Sequence, residues 1–379
     1  MKERDAYRKI AILGQEAQFD QCGVHGSQVG HADDPLLRSI YHAILPGGRT
    51  TKLLKVLFSN ACVNDCYYCA QRRGRDFRRT CFQPEELARA FDQMQRQRLV
   101  EGLFLSSAVH GRAPYIMERM IAVVEIIRQK YQFQGYVHLK IIPGVSQAAV
   151  EWAIQLADRV SINLEAPNAE RLARIAPGKD FDRQLLTPMH WVKAIADERE
   201  AQGLRGPSQT TQLVVGAADE SDREILTTVS RLYREVGLAR AYFSPFRPIK
   251  DTPLENHPPT PPIREHRLYQ SDFLLRRYGF ALEELIFDQT GNLPTDADPK
   301  LLWARAHPEH FPVEVNTASR EELLRVPGIG PHSARRIIEQ RRQGKVRSLA
   351  ELRRMGAAVQ RASPFILLDG RAVPRQLDF

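Results

Sequence analysis

Cys62, Cys66 and Cys69 stand within eight residues, in the run Cys-Val-Asn-Asp-Cys-Tyr-Tyr-Cys. Three thiolates this close can grip three corners of an iron–sulfur cube and leave the fourth iron without a protein ligand. An iron with an open position binds and activates small molecules, so the spacing points to chemistry more than to scaffolding. A structural zinc site takes four ligands, and no fourth Cys or His follows at finger-like spacing. Zinc stays open only if the fold recruits His110 or His138. The run Arg72-Arg-Gly-Arg-Asp-Phe-Arg-Arg79 follows directly, with five arginines in eight residues. Arg72, Arg73 and Arg75 can attract phosphates there, and Phe77 can stack on a base. A solvated surface loop is the competing reading.

A second constellation lies at Val315–Ile338. Ser319 and Glu322 make a capping box for a short helix whose apolar face is Leu323, Leu324 and Val326. Pro327-Gly328-Ile329-Gly330 turns sharply, and Pro331 opens the next helix where its missing N–H costs nothing. The glycines permit positive φ and present backbone N–H groups at a helix N-terminus, an arrangement that binds anions. His332, Arg335, Arg336 and Arg341 stand close by. Residues 348–366 read as a degraded second copy, with Met355-Gly356-Ala357 as its turn.

The elements that position these residues alternate. Strands are expected at 53–59, 103–107, 136–142, 159–164, 211–215 and 241–246. Helices are expected at 84–98, 114–132, 146–157, 187–203 and 221–237, and a further one at 263–278. Strand–helix alternation implies a parallel sheet with crossover helices. The cysteine loop, Ser106-Ser107, Asn163-Leu-Glu165 and Gly216 all follow strands, the edge at which α/β folds bind ligands. The expected organisation is an N-terminal extension (1–52), a barrel with its flanking helix (53–290), a linker (291–312) and a C-terminal domain (313–379).

The chain has 379 residues, of which 43% are hydrophobic and 26% charged, values of an ordinary globular protein. No apolar stretch reaches membrane-spanning length, and the charged N-terminus lacks a signal-peptide core, so a cytoplasmic location without membrane attachment is expected. Five cysteines make no disulfide framework, and Cys22 and Cys81 alone cannot hold a second cube. The net charge is +9, and residues 313–379 carry thirteen Lys and Arg against seven Asp and Glu. A basic tail on a nearly balanced body points to a polyanion partner, with solubility as the bland alternative.

Cys-x3-Cys-x2-Cys after a first strand, with Tyr68 before the last cysteine, resembles the radical S-adenosylmethionine (SAM) superfamily. The resemblance spans most of residues 50–250 and implies a partial (β/α)6 TIM-like barrel. It also implies a 4Fe–4S cluster held by Cys62, Cys66 and Cys69, whose open iron binds SAM. Reductive cleavage then yields a 5′-deoxyadenosyl radical, with an electron donor such as flavodoxin or ferredoxin. Ser106 and Ser107 stand where the superfamily places a Gly-Gly-Glu-like motif for the methionine amino group. Asn163 and Glu165 resemble a ribose clamp, and Val215 and Gly216 a glycine motif against adenine. Phe246 opens a run similar to a Pro-x-x-Gly-Thr-Pro-Leu loop, with Asp251 in place of glycine. Cys22 or Cys81, and with no better support Tyr67 or Tyr136, are candidates to donate a hydrogen atom to a product radical.

The tail looks like a small all-α helix-hairpin-helix module that grips the DNA backbone without reading sequence. With the run Arg264–Phe280, the layout is similar to a family described as DNA modification or repair radical SAM proteins. Members are often encoded beside a uracil-DNA-glycosylase-like protein, an implied partner. The expected function is therefore DNA base modification or repair. RNA or tRNA modification is the alternative enzyme reading, and a non-catalytic DNA-binding iron–sulfur protein the alternative of a different class.

Overall fold

The computed structural model describes residues 2–20, 36–44 and 50–372. Its main sheet has seven strands in sequential order: β1 (Ile40–Ile44), β2 (Thr50–Leu57), β3 (Gly102–Ser106), β4 (Tyr136–Lys140), β5 (Arg159–Ser161), β6 (Ser208–Val215) and β7 (Arg240–Pro245). From β2 to β7 every pairing is parallel, and helices fill the crossovers. The six expected strands are all present, in a half-barrel α/β arrangement. Parallel strands covered on both sides should be continuously apolar, and β3 is buried at every position.

Ahead of the expected strands lie two elements that were not foreseen. Helix α1 (Lys2–Glu16) buries Ile10 and Leu13, and β1 pairs antiparallel with β2 in the register Tyr41↔Leu53. The crossover helices start where capping predicts. α2 (Pro84–Arg96) has its capping box between Gln83 and Glu86, and α4 (Gln147–Leu156) is capped by Ser146. α3 (Ala113–Glu125) is shorter than expected, because Ile126–Lys130 continues it as a wider π turn. There the Arg128 guanidinium takes up the carbonyls of Phe133, Gly135 and Leu156. α5 (Ala169–Ile175), α6 (Thr187–Ala201) and α7 (Asp222–Glu235) complete the crossovers.

The chain divides into two compact units: residues up to Glu220 with Arg231–Thr260, and Ser221–Ser230 with Pro261 onward. The second unit contains α8 (Pro262–Arg277), α9 (Pro299–Ala306), α10 (Arg320–Arg325), α11 (Pro331–Arg341), α12 (Leu349–Arg354) and α13 (Val359–Ala362). Residues 291–312, expected as a linker, are folded into this unit. Asp298 caps α9, and Trp303 is buried against Phe280 with ring centroids 5.4 Å apart. Arg325 lies over Phe280 at 3.8 Å and over Trp303 at 4.8 Å while pairing with Glu284 at 2.7 Å. A three-stranded sheet of short strands, Val313–Glu314, Ile366–Leu368 and Arg371–Ala372, adds to the expected helices.

Candidate metal centre and nucleic-acid hairpins

The cysteine loop leaves β2 and is closed by Asn60, which is wholly buried. Thr80 N donates to Asn60 Oδ1 at 2.7 Å, and Asn60 Nδ2 donates to Arg78 O at 3.1 Å. Arg79 sits at the loop's centre and donates to five carbonyls, those of Asn60, Gln71, Arg72, Arg73 and Arg75. Buried carbonyls need donors, and one guanidinium here serves a whole loop. Two of the three arginines expected to attract phosphate, Arg72 and Arg75, are engaged within the chain. Arg72 pairs with Asp65 at 2.7 Å, Arg75 bonds to Ala70 O and Lys250 O, and Phe77 lies under Arg79 at 4.3 Å. Arg73 and Arg78 keep exposed side chains.

All three cluster cysteines are free thiols; Cys66 feels the charge of Cys62, and Cys69 those of Cys66 and Cys62. Burial pushes both thiols up, most strongly Cys69, where Cys66 and Cys62 add to it. A buried cation faces them. Lys179 pairs with Glu165 at 3.2 Å, and although burial works against its charge, Glu165 and Cys66 hold it firmly protonated. Tyr68 hydrogen-bonds Glu165, and burial followed by the charges of Glu165, Cys66 and Cys69 raises its hydroxyl well above the usual range. Three adjacent soft donors backed by one buried positive charge fit an anionic iron–sulfur cluster with one iron left open.

Glu165 adopts φ +65, a left-handed conformation uncommon for a non-glycine residue, with N donating to Gln212 O and O accepting from Val214 N. Asn163 is buried two residues before it. Gly216 has φ +84, and its carbonyl meets His257 Nε2 at 2.8 Å. Glu220 folds back onto the amides of Gly216 and Ala218, and Val215 O accepts from Phe246 N and Thr260 Oγ1. Phe246 is buried edge-on to His257 at 5.3 Å. Asp251, where the resembling loop has glycine, sits at φ +62. Ser107 Oγ donates to Ala108 O at 2.6 Å, and Ser106 Oγ donates to Asp20 Oδ2 at 2.6 Å. Both hydroxyls are thus already engaged. Sequence reasoning missed Glu220, and also Lys179, His257 and Asp20, whose partners lie farther off in sequence.

Cys22 lies outside the described residues. Cys81 bridges Ser59, two residues past β2, and its charged neighbours are Arg119, Lys9 and Glu86, all on helices. Tyr136 packs on the Leu53–Phe104 cluster.

In the second unit, two helix hairpins face each other. Gly328 (φ +87) and Gly356 (φ +89) make the two turns, and Ala358 N donates to Gly328 O at 2.8 Å. The helices entering the turns are capped by Ser319 and Ser348; those leaving begin at Gly330 and Ala358 with no side-chain cap. Amides in the first turn of α11 are therefore not claimed by a capping side chain. Arg335, Arg336 and His332 are exposed beside them, whereas Arg341 is spent on Val315 O and Ala318 O. Ile329 is 1% exposed, so it belongs to the core, its N–H donating to Val326 O and its carbonyl accepting from Lys300.

Lys300 donates to Ile329 O at 2.5 Å, and burial, with Arg361 and Arg325 adding to it against Asp298, lowers its ammonium to about 7. The unfolded value is 10.5, so the unfolded chain binds the extra proton between these limits. Stability should therefore be complete above that range and fall as pH drops toward 7, by at most about 1.4 kcal/mol per pH unit. Calorimetric melting of the second unit should rise from pH 7 to 9, and Lys300→Met should flatten that rise.

Residues 56–232 match the family model described as radical SAM superfamily, and residues 310–360 match the helix-hairpin-helix motif. Residues 56–232 thus carry a radical SAM domain. No curated protein matches it. Among solved structures it is similar to methylornithine synthase, at 15% identity over 58% of this chain and 60% of that chain, with a TM-score of 0.46. The FeFe-hydrogenase maturase HydG from Carboxydothermus hydrogenoformans shows 13% identity over 58% of this chain and 50% of that one, with a TM-score of 0.45. The radical SAM methyltransferase TsrM from Kitasatospora setae shows 12% identity over 56% and 39%, with a TM-score of 0.41. This chain thus spans less than two thirds of each of these structures. The superfamily uses a 4Fe–4S cluster and SAM. Among the described residues, no helix is long and apolar enough to cross a membrane.

Proposed function

We propose that this enzyme modifies or repairs a nucleotide in DNA, its second unit holding the duplex backbone while the barrel acts on a base. The observation that carries the reading is the pairing, in one chain, of a radical SAM domain with a helix-hairpin-helix motif whose α11 starts uncapped beside exposed Arg335 and Arg336. Uncapped first-turn amides and guanidiniums serve phosphates of any sequence, which suits an enzyme that must find rare targets. Tethering both functions in one chain raises the local concentration of duplex around the barrel.

Cys62, Cys66 and Cys69 would hold the cluster. With SAM bound, it supplies a 5′-deoxyadenosyl radical able to remove a hydrogen atom. Tyr68, Glu165 and Lys179 would fix the charge beside the thiols, while Asn163, Val215, Gly216 and Phe246 would line the nucleoside side. A radical of this kind must nearly touch its target, so the base must leave the stack. An external electron donor is required, and a glycosylase-like partner would handle the altered base.

Arg335→Ala with Arg336→Ala should weaken duplex binding about tenfold or more and flatten its salt dependence between 50 and 200 mM. The same variant should lose DNA stimulation of 5′-deoxyadenosine formation while keeping its iron. Stimulation by structured RNA and not by duplex DNA would give the reading to RNA modification instead.

A further inference from the structure

The barrel interior holds polar groups that the cluster site does not use. Strand alternation points Lys55 of β2, Ser106 of β3, His138 and Lys140 of β4, and Thr210 of β6 inward. Phe104 and His138 meet there edge to face at 4.4 Å. Asp20 enters this chamber from the segment after α1. Its carboxylate accepts from Ser106 Oγ at 2.6 Å and from Lys140 Nζ at 2.5 Å, and Gln212 Nε2 holds the preceding carbonyl of Phe19 at 2.9 Å. Burial pushes the Asp20 carboxyl up, but Lys140, the Ser106 hydroxyl and Lys55 together outweigh it, so it stays charged.

One carboxylate does not balance the chamber. The charges that act on His138 are all cations, Arg159, Lys140 and Lys55, and burial with those cations keeps its ring neutral. His138 is 1% exposed, yet its Nε2 meets no hydrogen-bond partner among the described residues; Thr210 Oγ1, wholly buried on β6, meets none either. An orphaned buried polar atom is costly, so a ligand group that met the idle imidazole would be favoured there.

We propose that this chamber is an oxyanion site, taking a carboxylate or a phosphate between Lys55, His138 and Lys140, with Asp20 as an internal occupant that the ligand displaces. The site extends beyond the DNA reading and stands whether or not DNA is the substrate. Removing the occupant's charge should open it. In the full-length reconstituted enzyme, Asp20→Asn should melt lower than wild type in chloride buffer. Inorganic phosphate or acetate should restore its melting temperature, with an apparent affinity about tenfold above that of wild type. Rescue by one anion alone names the ligand's class. Asp20→Asn combined with Lys140→Met should not respond.

Equal shifts in wild type and Asp20→Asn, or no shift in either, would overturn the assignment. So would displacement of phosphate by SAM from the loaded Asp20→Asn enzyme, which would give the site to the cofactor. If Asp20→Asn fails to fold in chloride, refolding in phosphate gives the same readout. A yield that depends on phosphate supports the site, and failure in both buffers contradicts it.

Discussion

Replacing Cys66 by alanine should leave a folded protein with little bound iron and no detectable 5′-deoxyadenosine formation. Cys66 is 7% exposed between Cys62 and Cys69 and its thiol is hydrogen-bonded by its own backbone, so the loss should fall on the cluster and not on the fold. Its neighbours Lys179 and Glu165 would remain paired at 3.2 Å, keeping the surrounding charge in place. Cys62→Ala and Cys69→Ala should behave the same way, since losing any one of three ligands leaves two irons open. Cys81→Ala is the matched control. Its thiol sits among Lys9, Glu86 and Arg119, and both iron content and activity should stay at the wild-type level. Iron and sulfide analysis beside product quantification checks all four.

The second large effect concerns Gly328. At φ +87 a side chain is strained, and a Cβ there would lie 2.5 Å from Ala358 O and 3.2 Å from Ala362 N. The clash is with backbone and cannot be relieved by turning a side chain. It would also break the bond from Ala358 N to Gly328 O that joins the two hairpins. Left-handed strain costs about 1–3 kcal/mol and the lost bond about 1 kcal/mol more. Gly328→Ala should thus lower the urea midpoint of the second unit sharply and lose DNA binding only as a consequence. Gly330→Ala separates the two effects. Its φ is −106 and an added Cβ meets only Tyr278 Oη, at 3.1 Å, so stability should change by less than about 1 kcal/mol. A fall in duplex affinity for that variant would report the approach of phosphate to the α11 terminus.

The sequence was most legible where one short segment carries its own geometry. The cysteine spacing, the six β-branched runs and the Pro-Gly-x-Gly turn each state their structure locally, and all have counterparts in the fold. Asp251 is a finer case. It stands where the resembling loop has glycine, and its φ of +62 is one that aspartate tolerates. What stayed hidden depends on partners distant in sequence. Lys179 is an ordinary loop lysine until the fold sets it beside Glu165 and the thiols. Asp20 meets Lys140 across 120 positions.

The arginine run misled for the same reason. Composition makes it look like a phosphate grip throughout, but the carbonyls of this loop need donors, and Arg79 and Arg75 supply them, which leaves Arg73 as the exposed member of the expected trio. The segment 291–312 also misled, since its proline and aspartate content suggests a linker. Those same residue types cap and start α9, which then buries Trp303.

The most direct test of the account uses duplex DNA carrying deuterium in its nucleotides, incubated anaerobically with the reduced, reconstituted enzyme and SAM. Radical chemistry on DNA predicts deuterium in the 5′-deoxyadenosine, with the transfer lost in Arg335→Ala/Arg336→Ala. Abundant 5′-deoxyadenosine without deuterium, from a duplex that is demonstrably bound, would contradict it.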